Sequence, residues 1–260
     1  MSLKRNKYKI NYLILKILLI FFGLTPFNNL FAENIYIGVA SNFLTPIKLL
    51  KKNFESINDG QIFISSGSSG SLYSQIIKGA PLDIFLSADQ DLPQKLEKTS
   101  KAILGTRFTY ATGQLVVYST NQSLFSHRFP QFLISNKINY IGIGNPGYVP
   151  YGRAAKEVLK SLNIFKEISS KLVFNKNVNQ VFLMNYFGNL DIGFISKADF
   201  LSNNKKGKIW EIPKNLYSPI KQDAILLKYG DKKQNAILFL KFLSSKNTKE
   251  SLRRFGYIFD

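Results

Sequence analysis

Residues 34–54 read NIYIGVASNFLTPIKLLKKNF. Asn34 to Val39 is an apolar, β-favouring run, and after Ser41-Asn42 the residues Leu44, Ile47, Leu50 and Phe54 recur at the spacing of one helix face. A strand therefore feeds directly into a helix. The unit then repeats. Gln61 to Ser65 alternates like a strand, Gly67-Ser68-Ser69-Gly70-Ser71 turns the chain, and Leu72, Ile76 and Ile77 face a helix closed by Gly79 and Pro81. Asp83 to Leu86 is a short buried-type strand before a helix over Asp91 to Lys98, and Leu115 to Tyr118 is another strand. The second half has the same grammar: strands at Tyr140 to Gly144, Lys171 to Phe174 and Ile192 to Ile195, and helices at Arg153 to Leu162, Val178 to Phe187 and from Lys197. Ala224 to Leu227 reads as a last strand, and Ile237, Leu240 and Leu243 belong to a closing helix. Two such runs predict an α/β protein with two lobes, each built on a parallel sheet.

With 260 residues, 45% of them hydrophobic, the chain can fill a sizeable core. It has no cysteine and one histidine, His127, which excludes disulfide frameworks, thiolate zinc sites, Cys–His nucleophiles and multi-histidine metal centres. His127 sits among Phe125, Phe129 and Phe132, a setting for a packed or surface histidine rather than a catalyst. The formal charge of +19 would suit a phosphate backbone. Yet the lysines are spread along the whole chain with no arginine–aromatic cluster, so nucleic acid is not an expected partner.

Lys4, Arg5, Lys7 and Lys9 precede an unbroken apolar run from Ile17 to Leu24, followed by Pro26. This pattern predicts a signal peptide over residues 1–32, cleaved after Ala32, and a periplasmic location; a retained leader would tether the protein to the membrane instead. The run is short for a membrane span, which needs about 20 apolar residues, and no cysteine follows it to carry a lipid. Cleavage would remove five basic groups and no acid, taking the charge from +19 to +14.

In open α/β sheets the ligand crevice lies beyond the carboxyl ends of the strands. Here those ends are rich in serine, and each helix start next to them offers unpaired N–H groups to an anion. Ser41, the Ser68-Ser69 pair and the turn before Arg153 are thus candidate donors. The glycine–serine loop is not a phosphate-binding P-loop, because no Gly-Lys-Ser/Thr comes after it, and it lacks the last glycine of a nucleophile elbow. Asp83, Asp89 and Asp91 have no calcium-loop spacing; Asp83 is assigned to a strand start and Asp91 to a helix cap, and no protein-ligated metal is expected. Tyr148 and Tyr151, flanking Pro150, suit either a pocket or an interface.

Several motifs occur together and in order: Val39-Ala40-Ser41, Ser68-Ser69-Gly70-Ser71-Leu72, Gly79-Ala80-Pro81-Leu82-Asp83 through Ser87-Ala88-Asp89, Gly144-Asn145-Pro146, Val149-Pro150-Tyr151-Gly152-Arg153-Ala154-Ala155, and Arg254-Phe255-Gly256-Tyr257. With them the chain resembles the periplasmic molybdate-binding proteins of ABC importers, the ModA type, over nearly all of residues 33 to 260. The resemblance implies a two-lobed, Venus-flytrap binding protein of type II with mixed, mostly parallel sheets. It assigns residues 33–113 and 223–260 to the first lobe and 114–222 to the second.

It further implies no cofactor and no catalysis. The partners would be molybdate or tungstate and a membrane permease with its ATPase, and the protein would act as a monomer. Carried onto this sequence, Ser41 and Ser69 match donors from the first lobe, and Tyr151 and Val178 match helix-start N–H donors from the second. Ser196 stands where the family places a tyrosine hydroxyl, so Tyr151 or Tyr148 is expected to supply a substitute, or a water to bridge from Ser196; Ser68 is a further candidate. Alternatives are a protein of the same fold for another small anion or an organic solute, a serine hydrolase using Ser69 for which no acid–base partner is evident, and a basic adhesion or membrane-surface module.

Overall fold

The computed structural model describes residues 33–121, 123–124, 129–203 and 206–259. The expected signal peptide and His127 lie outside the described residues.

Two five-stranded sheets are built to one plan. The first contains β1 (Ile35–Ala40), β2 (Ile62–Gly67), β3 (Ile84–Leu86), β4 (Phe108–Gly113) and β10 (Ile220–Leu226), in the order β2-β1-β3-β10-β4. The second contains β5 (Leu115–Ser119), β6 (Ile141–Gly144), β7 (Leu172–Asn175), β8 (Ile192–Ser196) and β9 (Lys208–Glu211), in the order β7-β6-β8-β5-β9. In each, four strands run the same way and one, β10 in the first and β5 in the second, runs against both of its neighbours. The sheets are therefore mixed and mostly parallel, as the resemblance implies.

The helices, in chain order, are α1 (Leu44–Glu55), α2 (Ser69–Ile77), α3 (Asp91–Lys98), α4 (Pro150–Ser161), α5 (Val178–Tyr186), α6 (Lys197–Ser202), α7 (Gln234–Ser244) and α8 (Lys246–Arg253). Their apolar faces cover both sides of each sheet, which is why the central strands read as continuous apolar runs. On β3, Ile84 and Leu86 pack with Phe43, Ile47 and Phe239, while Phe85 between them packs with Leu72, Leu96 and Ile225 on the opposite face. In the second sheet Ile141, Ile143 and Phe194 join Val158 and Leu159 of α4, and Val116 and Ile195 join Val181 and Phe182 of α5. The period-two alternation of a strand thus serves two cores at once.

The chain passes from the first sheet to the second at Gln114 and returns between Glu211 and Ile220. The return is earlier than the expected break at 222/223. Ile220, Lys221 and Gln222 are already paired with Gly113, Thr112 and Ala111, so they belong to the first sheet. Ile258 closes the molecule by exchanging both backbone hydrogen bonds with Thr112, each at 2.9 Å.

Candidate functional site

Strands β1 and β2 end level with one another, Ala40 opposite Gly67, and so do β6 and β7, Gly144 opposite Asn175. The segment beyond each of these ends is polar. Ser41, Asn42 and Phe43 form a buried 3-10 turn into α1. Ser68 caps α2, its hydroxyl oxygen accepting from the Ser71 N–H at 3.2 Å, and Ser69 is the first helical residue and fully buried. The Ser69 hydroxyl accepts from the Ala88 N–H at 2.9 Å, which ties the ends of β2 and β3 together. In the second sheet Pro150 starts α4, where its missing N–H costs nothing, and Tyr151 comes next. Asn177 caps α5 by accepting from the Gln180 N–H at 2.9 Å, leaving Val178 as the first helical residue. The N–H groups of Ser69, Tyr151 and Val178 lie in first turns, where a helix has no internal acceptor to offer.

The two sets of strand ends meet. The Gly70 N–H donates to the Tyr148 carbonyl at 3.0 Å, the Arg153 guanidinium pairs with the Asp89 carboxylate, and α5 packs against the Ser41–Phe43 turn. Tyr151 reaches furthest across. Its hydroxyl accepts from Gln222 Nε2 at 3.1 Å and lies against the backbone of Gly113, where a Cβ would be only 2.0 Å from it. Gln222 Oε1 in turn accepts from Asn42 Nδ2 and from the Tyr110 hydroxyl, both at 2.9 Å, and the Tyr257 hydroxyl donates to the Asn42 carbonyl at 2.9 Å. Burial raises the pKa of Tyr110, Tyr151 and Tyr257 well above the ordinary phenol value, so all three stay neutral donors. Ser69 thus lies next to the Gly70–Tyr148 bond, Ser41 in the turn against which α5 packs, Val178 at the start of α5, and Tyr151 with its hydroxyl on Gln222.

Ser196 is placed differently from its expected role. It caps α6: its oxygen accepts from the Asp199 N–H at 3.0 Å, and its proton goes to Asp199 Oδ2 at 2.6 Å. A hydroxyl held by a carboxylate offers no proton to an anion. Tyr148 lines, with Ser68, Ser71, Lys176 and Asn177, a groove of about 620 Å³ at the rim, and its carbonyl accepts from the Gly70 N–H. Of the two tyrosines, Tyr151 is therefore the one whose hydroxyl reaches the interior. Ser68 keeps its capping role at that same rim.

The acids also find structural partners. Asp83 precedes β3, accepting from the Tyr36 N–H and from Lys233 at 2.8 Å each. The carboxylate that receives an N–H at the start of α3 is Asp89, from Leu92 at 3.2 Å, rather than the expected Asp91, because Asp91 is already inside the helix. Among the described residues no three His, Cys, Asp or Glu side chains converge as a metal site would require.

Sequence reasoning misses Asn42, Tyr110, Gln222 and Asp199, and gives Tyr257 no role. Asn42 reads only as a helix opener, and Gln222 stands in a segment without clean alternation. For Asp199 a signal is present, since Ser196-Lys197-Ala198-Asp199 has the S-x-x-D spacing of a reciprocal helix cap.

Residues 35–258 match the family described as bacterial extracellular solute-binding protein. The chain is 34% identical over 227 residues to the molybdate-binding protein ModA of Rhodobacter capsulatus, a match covering 87% of this chain and 89% of the other. It is likewise 34% identical over 228 residues to ModA of Azotobacter vinelandii, covering 87% and 90%. Among solved structures, the periplasmic molybdate-binding protein of Azotobacter vinelandii superposes with a TM-score of 0.83 at 33% identity, over 87% of this chain and 99% of that one.

Proposed function

The chain belongs to the family of bacterial extracellular solute-binding proteins, and from that premise we propose that it captures molybdate, and also tungstate, for delivery to the permease and ATPase of an ABC importer. Its role is to hold a solute outside the cytoplasm rather than to transform one. In this reading residues 1–32 direct export and the protein works as a monomer.

One observation supports the choice of ligand: the residues proposed to hold it, Ser41, Ser69, Tyr151 and Val178, are all uncharged. Ser69 and Tyr151 each accept a hydrogen bond from the protein, from Ala88 and Gln222, which leaves the proton of each hydroxyl for a ligand. With the Ser41 hydroxyl and the first-turn N–H groups of Tyr151 and Val178, they make a cage of donors drawn from both lobes. Such a cage suits a small, fully deprotonated dianion. Hydrogen phosphate carries a proton that needs an acceptor, so it fits less well. Sulfate has shorter bonds, and in a cage sized for molybdate its donors would be underpaired at about 1–3 kcal/mol each. Closure results from the same geometry, because an anion bonds both walls only when they meet. The identity to ModA proteins of Rhodobacter capsulatus and Azotobacter vinelandii supports the same choice.

A thermal-shift panel tests this. Ligand in hundredfold excess over Kd adds about 2.7 kcal/mol of stability, so molybdate and tungstate are each expected to raise Tm clearly, and sulfate and phosphate to leave it in place. A panel in which neither molybdate nor tungstate moves Tm overturns the proposal.

A further inference from the structure

Among the described residues Asp199 is a buried carboxylate with no basic side chain in an ion pair with it, on a helix packed against the Ser41–Phe43 turn. It is 5% exposed, and its oxygens accept from the Ser196 hydroxyl at 2.6 Å and from Asn179 Nδ2 at 2.9 Å, Asn179 being the second residue of α5. Its helix, α6, packs against α1, α5, β5, β8 and the Ser41–Phe43 turn. The groups those elements present do not neutralise it. Lys51 of α1 pairs with Glu55, and Lys48 and Lys52 are exposed. Tyr186 of α5 and Tyr118 of β5 bring phenol side chains and no basic group, β8 and the turn hold no titratable group, and Lys197 of α6 itself pairs with Glu211 at 2.7 Å. The side chains that do sense the carboxylate are the phenols of Tyr151 and Tyr257.

We infer that Asp199 makes anion capture proton-linked: a dianion held by Ser41 and Tyr151 is accompanied by a proton taken up on the Asp199 carboxylate. The inference rests on the oxyanion reading of the cleft and adds its pH dependence. An ionised Asp199 in this low-dielectric interior repels a dianion, while the neutral acid does not. Burial has already brought the acid close to the balance point, pushing its pKa up to about 7 against the pull of the Ser196 and Asn179 hydrogen bonds. Protonation also reverses a local bond. The acid then donates to the Ser196 oxygen, and the Ser196 proton is released for another acceptor.

The test is calorimetric titration of the full-length protein with molybdate, which stays a dianion from about pH 6 to 8, in two buffers of different ionisation enthalpy. Near pH 7 the buffers should report uptake of about half a proton per anion, and affinity should fall about tenfold from pH 6 to pH 8. Asp199→Asn should abolish the uptake and flatten the pH profile. Tight binding with equal heats in both buffers and a flat wild-type profile overturns the role of Asp199 while leaving the oxyanion reading intact. Absence of molybdate binding at every pH overturns both. The wild-type proton count decides the matter even if the variant fails to fold.

Discussion

Tyr151 carries two duties at the scale of a single residue. Its oxygen is the acceptor for Gln222, and in the proposed site its proton is the one offered to the ligand. Tyr151→Phe should therefore weaken molybdate by roughly ten- to hundredfold, the value of a hydrogen bond to a charged group, about 1.5–3 kcal/mol. Calorimetry at pH 7 checks this, and an unchanged affinity would confine the phenol to bracing Gly113 and Gln222. Ser41 and Ser69 were legible as donor candidates because a serine directly after a strand and before a helix has few other places to point. The role of Ser196 was not, because what its hydroxyl does depends on a carboxylate one helical turn ahead.

At the scale of elements, the positions of Tyr151 and its N–H depend on how closely α4 approaches the end of β6. Gly152 makes that approach possible: a Cβ there would lie 2.0 Å from the Gly144 carbonyl oxygen, a backbone atom that has no rotamer to escape into. Gly152→Ala should cost about 2 kcal/mol or more, lowering Tm by roughly 4–8 °C, and should weaken anion binding as the first turn of α4 is displaced. Thermal unfolding with and without molybdate separates the two effects. A variant with wild-type Tm and affinity would show that the helix start absorbs the methyl.

The helices with a full apolar face, such as α1 and α4, were readable from spacing alone. So were the central strands, buried on both sides. Strands β4 and β9 and helix α8 escaped. Phe108–Gly113 is half polar, Lys208–Glu211 is a short outer strand with two charged ends, and α8 buries little beyond Thr248 and Leu252, so none carries a periodic apolar signal.

In the proposed mechanism the whole molecule works by bringing two walls together, and Gly70 lies at a contact between them. A Cβ on Gly70 would lie 2.5 Å from Tyr148 Cβ and 2.9 Å from the carbonyl oxygen that its own N–H meets. Gly70→Ala should therefore hold the lobes apart. Molybdate affinity should fall at least tenfold, and small-angle scattering with saturating molybdate should give a larger radius of gyration than the liganded wild type, while the ligand-free Tm stays close to wild type. Identical scattering profiles for the two liganded proteins would refute this. The Arg153–Asp89 pair spans the cleft mouth nearby, but with Arg153 over a third exposed its contribution to closure is screened by solvent.

The amino-acid sequence by itself determined the alternation of strand, serine-rich turn and helix, and with it the donors offered at the strand ends. Periodicity, capping and helix-start chemistry are settled between neighbours a few residues apart. Only the tertiary structure decided which strands adjoin, where the chain returns to the first sheet, that Tyr151 rather than Tyr148 points inward, and that the Asp199 carboxylate is buried against Ser196 and Asn179. Those outcomes hang on partners such as Gln222 with Tyr151, 71 residues apart, and Asn42 with Gln222, 180 apart. No local pattern fixes such a pairing, because it is chosen when the two sheets close and every buried polar group must find a partner among whatever lies opposite.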